Sequence, residues 1–153
     1  MKYAHLVRLT AFSHEGEDSE SIHDAFLRFF PFSLEENKIK LNKATAEGFH
    51  GRKIVVFEAK LAKNSLITWF LENLASSFDE SQKQEILKQI GSRLDKNLDF
   101  FLRFDKNSWI NDKKLILTDS GKCFHLKISI AAFPKKREAA LNVVKDLFGK
   151  SKS

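Results

Sequence analysis

Apolar and polar positions alternate along "YAHLVRLTAF" (3–12), and this period of two predicts a first strand. "HEGED" reads as a turn. Asp18 is placed to cap a helix that carries Ile22, Phe26, Phe29 and Phe30 on one stripe, until Pro31 stops it. In "NKIKLNKATAEG" (37–48), Ile39 and Leu41 alternate with Lys38, Lys40 and Asn42, the pattern of a half-exposed strand. "GFHG" (48–51) then turns the chain into "RKIVVFEAKLA" (52–62), so a hairpin is expected.

Beyond residue 63 the period lengthens to that of a helix. Asn64 reads as the cap of a helix whose Ile67, Phe70, Leu71, Leu74 and Phe78 form an apolar face. Asp79 reads as the cap of the next, carrying Ile86, Leu87, Ile90 and Leu94. Strands are expected at 98–104, 114–118 and 123–133, the last two joined by the turn "DSGK". In the last strand Phe124, Leu126, Ile128 and Ile130 share one face, and His125, Lys127 and Ser129 the other. A final helix points Val143, Val144, Leu147 and Phe148 inward and ends at Gly149 as its C-cap. The order β-α-β-β-α-α-β-β-β-α predicts one α+β domain over residues 1–149. Its sheet would be mixed and mainly antiparallel, with one polar face and helices packed on the other. "KSKS" (150–153) is expected to be a disordered basic tail.

Composition narrows the class. The chain of 153 residues is long enough to bury a core, and its 15 Phe can supply much of the area. No apolar run approaches the roughly 20 residues of a membrane span. The alternating start also lacks the continuous apolar stretch of a signal peptide. The single cysteine, Cys123, excludes an internal disulfide and fits a reducing cytoplasm. A soluble cytoplasmic protein is expected.

Charge changes the picture more. Net charge is +6, but residues 1–100 hold 14 Lys+Arg against 15 Asp+Glu, while 101–153 hold 12 against 5. Cations concentrated in the last third suit a polyanion, or simply a solvated basic face.

Catalytic motifs are absent. The six glycines make no GxGxxG, and "FGKSKS" has Val144 where a Walker loop needs glycine. His14-Glu15 is followed by Asp18 where HExxH needs histidine, and there is no CxxC. His23-Asp24 reads as a surface pair and Cys123 as a structural thiol. No catalytic residue, metal or cofactor is expected. "GFHG" matches the GXXG of KH domains, but that loop joins two helices and this one joins two expected strands.

Two clusters remain. In "FLRFDKNSW" (101–109), Arg103 and Lys106 lie near Trp109; Arg grips phosphate and an exposed aromatic stacks on an unpaired base. The competing reading makes the aromatics core and Arg103–Asp105 an ordinary surface pair. In "AAFPKKREAALNVV" (131–144), Lys135, Lys136 and Arg137 fall in the expected first turn of the last helix. Cations there oppose the helix dipole, whereas a bound phosphate would reverse the penalty.

"EGFHGRKIVVFEAKL", "LRFDKNSW" and "KISIAAFPKKREAALNVVKDLF" together resemble a family of small archaeal RNA-binding proteins assigned as exosome subunits. That family is related in fold to the large-subunit ribosomal protein that binds 5S rRNA. Asn107 follows Lys106 where the family commonly has Gln, and Gly51-Arg52 stands where its hairpin turn commonly reads Gly-Asn. The resemblance implies a sheet backed by helices, RNA as ligand, and no catalytic residues.

The expected function is therefore non-catalytic RNA binding in RNA processing, degradation or rRNA maturation. Lys135, Lys136 and Arg137 would grip phosphates, Arg103 and Lys106 would extend the track, and Arg52 and Lys53 would contribute from the hairpin. Structured RNA read by shape is the expected ligand, with exosome or ribosome-assembly components as further partners. The alternative is an adaptor whose basic face docks an acidic protein. A third reading, a phosphate-handling enzyme, needs a carboxylate or His converging on the cations.

Overall fold

The computed structural model describes residues 2–48 and 51–149. The element order is β1 (Ala4–His14), α1 (Ser19–Leu27), β2 (Asn42–Glu47), β3 (Lys53–Leu61), α2 (Asn64–Ser76), α3 (Glu80–Lys88), α4 (Ile90–Arg93), β4 (Asp99–Asp105), α5 (Lys106–Asp112), β5 (Cys123–Ile130) and α6 (Arg137–Phe148). The strands form one five-stranded antiparallel sheet in the order β2-β3-β1-β5-β4. This is the α+β architecture that the alternating and helical periods predict.

The chain divides into two compact units, one of residues 1–7, 61–102 and 127–153, the other of 8–60 and 103–126. Their boundaries fall inside β1, β4 and β5 and at the last residue of β3. In the first unit α6 packs on α2, α3 and α4. Phe148 meets both Phe78 and Phe100, each ring pair 6.0 Å apart. In the second, Phe29 fills the space between Phe124 (5.1 Å), Phe104 (5.7 Å) and Trp109 (4.8 Å). Each Phe buried this way contributes about 1.5–3 kcal/mol. Along β5, Phe124, Leu126, Ile128 and Ile130 are buried while His125, Lys127 and Ser129 are half-exposed, so one face is covered and the other open.

Local signals placed several boundaries well. Asp18 caps α1 by accepting from Glu20 and Ser21, and α1 ends before Pro31, with Phe29 and Phe30 buried just past it. Asp79 forms a capping box with Gln82. Gly149 closes α6, in a right-handed conformation.

Other expectations need correcting. Ile39 and Leu41 are not in a strand, since β2 begins at Asn42. Ile39 N–H closes a turn onto Leu34 O at 2.8 Å, Lys38 takes a left-handed φ of 57°, and the two apolar side chains line a cleft with Leu27, Phe32 and Leu34. The β2–β3 hairpin does form, with Asn42 opposite Glu58 and Glu47 opposite Lys53; Phe49 and His50 of its turn lie outside the described residues. So does the expected tail, 150–153. The cap of α2 is Lys63 without a side-chain bond, and Asn64 is the first helical residue. The single helix expected across Ile86–Leu94 is broken at Gln89, whose side-chain oxygen accepts two bonds from Arg93.

The largest correction concerns residues 106–118. Asp105 caps an unforeseen helix, α5, accepting from both the backbone N–H (3.0 Å) and the hydroxyl (2.6 Å) of Ser108. Lys113 in the left-handed region ends it. Residues 114–118 then form only a single bridge, Leu117 to Phe104, not a strand paired with β5. They run beside β4 through Asp105 N–H to Ile116 O and Thr118 N–H to Arg103 O. "DSGK" is therefore a turn, with Gly121 at φ 84°, but not a hairpin between two strands.

Candidate nucleic-acid interface

The first unit holds the C-terminal cluster. Arg137 is the first residue of α6, Lys136 is its N-cap, and Lys135 precedes it. The expectation placed all three inside the first turn. Lys136 makes no capping bond, so the first-turn N–H groups have no side chain of the cap to accept from them. Lys135 and Lys136 are exposed and have no ion-pair partner among the described residues. Arg137 is different. Its guanidinium donates to Leu94 O at 2.9 Å and to Gly91 O at 2.6 Å, two carbonyls at the end of α4. A cation that opposes the dipole of α6 is thus held by the carbonyl end of another helix.

The second unit holds the other four residues. Arg52 and Lys53 are exposed beside the hairpin turn. Arg103 is exposed on β4, its Nη1 donating weakly to Asp119 O at 3.4 Å. Lys106 is only 1% exposed. Its ammonium donates to Phe12 O and to Glu17 Oε1 at 3.2 Å, so it faces inward. Burial pushes the Glu17 carboxyl up, but the His14 N–H and the Lys106 charge outweigh it, and the net shift is down. Trp109 is likewise structural: its indole N–H donates to Ala25 O at 2.7 Å, it packs on Phe29, and the Arg28 guanidinium sits 4.7 Å above its ring. Asp105 is occupied with Ser108, which holds its carboxyl below the usual range.

Sequence reasoning gave little weight to the open sheet face. In the second unit, Arg8, Phe12 and His125 lie on it: Arg8 Nε is 3.9 Å from Glu58, and the rings of Phe12 and His125 meet edge-on at 5.8 Å. Burial, then the charges of Arg103 and Lys106, hold His125 below the ordinary imidazole range. Cys123 Sγ lies 3.4 Å from His125 Nε2, and burial pushes the thiol up against the lowering charges of Arg103 and Lys106. In the first unit, sequence reasoning read Phe133 as the end of a strand, yet among the described residues it is the most exposed large apolar one, at 81%. The signal available was its place between Ala132 and Pro134, where the alternation stops. Among the described residues no His, Cys, Asp and Glu group gathers as a metal site, and no helix is long and apolar enough to cross a membrane.

Comparison with known proteins finds a matching family and several relatives. A family model described as RNA binding matches residues 6–130. The RNA-binding protein PAB1135 of Pyrococcus abyssi is 27% identical over 144 residues, 94% of this chain and 92% of that protein. The crystal structure of AF2318 from Archaeoglobus fulgidus superposes with a TM-score of 0.82 at 28% identity, covering 94% of this chain and 99% of that one. SSO0741 from Sulfolobus solfataricus gives 0.75 at 26% identity, covering 94% and 97%.

Proposed function

The chain belongs to this RNA-binding family, and from that premise we propose that it grips RNA phosphates through Lys135 and Lys136 at the start of α6. The observation that carries the reading is that both lysines are exposed, lack an ion-pair partner among the described residues, and flank backbone N–H groups their own cap does not satisfy. Arg103, Arg52 and Lys53 are the further contacts, all exposed on the second unit. Arg137 contributes positive charge while its guanidinium ties α6 to α4. Lys106 supports the scaffold through Glu17 rather than touching phosphate. Binding without catalysis is the reading, and the sequence resemblance supports a setting in RNA processing, degradation or rRNA maturation, exosome components being the partners it suggests.

A salt titration tests it. For wild type, log K against log[salt] should fall steeply on a labelled structured RNA. The Lys135→Ala, Lys136→Ala variant should flatten that slope by roughly 0.7–0.9 for each phosphate it no longer neutralises. Absence of binding even at low salt would transfer both cations to an acidic protein partner.

A further inference from the structure

Phe133 is 81% exposed, against 50% for Trp69, 44% for Ile116 and 36% for Phe101, so it forgoes the burial that Phe26, Phe57 and Phe100 obtain. The backbone that presents it is anchored. Ala131 and Ala132 are buried at 4% each, Ile130 N–H donates to Leu98 O at 3.0 Å, and Ala131 N–H donates to Tyr3 O at 2.9 Å. On the other side Lys136 N–H donates to Pro134 O at 2.7 Å and α6 begins. The His5 ring meets Phe133 edge-on, at 6.4 Å and 81°. The ring is thus displayed from ordered chain, and little ordering entropy is lost when a ligand covers it.

We propose that Phe133 is a stacking platform for an unpaired base whose neighbouring phosphates lie on Lys135 and Lys136. The RNA this protein takes therefore carries at least one unstacked nucleotide, an inference that rests on the RNA-binding reading above. Charge decides the occupant. An apolar protein pocket closing over Phe133 would desolvate the two adjacent lysines, whereas a nucleotide offers a π-face and negative charge together. Stacking on a lone aromatic is tolerant of sequence, so the platform selects strandedness and not base identity.

The test compares a 10-nucleotide single strand with the perfectly paired duplex of the same sequence, each titrated at several salt concentrations. Phe133→Ala should weaken single-strand binding about 5- to 150-fold, leave duplex binding unchanged, and keep the salt slope. Phe133→Trp should restore the affinity. Because the side chain is exposed, neither substitution should move the unfolding midpoint. An equal loss on both RNAs, or no loss on the single strand while the double-lysine variant still flattens the slope, would overturn the platform and leave phosphate binding standing. Failure of wild type to bind either RNA would overturn both.

Discussion

At the scale of the residue, Lys106 shows how far a side chain's type is from its role. As a sequence letter it is one more cation beside Arg103; in the fold it is buried against Glu17 and the Phe12 carbonyl. Lys106→Met should cost about 2–4 kcal/mol at pH 7, because a partly buried carboxylate loses its nearest cation and keeps, among the described residues, only Lys122 at 3.8 Å. The effect has a pH signature. Glu17 is depressed in the folded protein, so its contribution is present above its ordinary value of 4.5 and lost as pH falls through the lower folded value. Urea midpoints of wild type and variant should therefore converge on acidification through that window. A gap that persists unchanged at low pH would mean that packing, not the ion pair, explains the loss.

At the scale of the element, the start of α6 holds three adjacent cations with two fates. Lys135 and Lys136 are open to solvent, and Arg137 closes the carbonyl end of α4. Arg137→Ala should lower stability by about 1–2 kcal/mol in chemical denaturation, because its charge-assisted bonds disappear. Lys135→Ala should leave stability unchanged or raise it slightly, since a cation before the helix opposes its dipole. The reverse ranking would place the structural tie on the wrong residue. The same element explains a limit of sequence reading. The period of 3.6 locates α6, but a guanidinium's partners 43 and 46 residues back leave no mark on that period. α5 escaped for a related reason: seven residues are too few to establish a helical period, and the Asp105–Ser108 cap was its one local sign.

At the scale of the whole molecule, the boundaries of the two compact units fall on the strands, three of them inside β1, β4 and β5. We propose that residues 1–149 nevertheless unfold as one domain, because those three strands would have to break in their middles for one unit to melt alone. The chain supplies its own reporters, Trp69 in one unit and Trp109 in the other. In Trp69→Phe and in Trp109→Phe alike, the transition of the remaining tryptophan should coincide in urea midpoint and slope with that same variant's far-UV circular dichroism transition. Separate transitions would make the units independent domains.

The sequence alone determined the α+β class, the two faces of β5, the caps at Asp18 and Asp79, and the run of cations before α6. These follow from side-chain period and from hydrogen bonds spanning three or four residues, both local. Tertiary structure decided which cations are available and which aromatic is exposed: Lys106 and Trp109 turn inward, Arg137 is occupied, Phe133 is left in solvent. Each of those outcomes except the last depends on a partner more than 40 residues distant along the chain. The exposure of Phe133 had one local sign, the stop in alternation between Ala132 and Pro134, but its extent was set by the fold, in which the His5 ring meets it edge-on and leaves it 81% exposed.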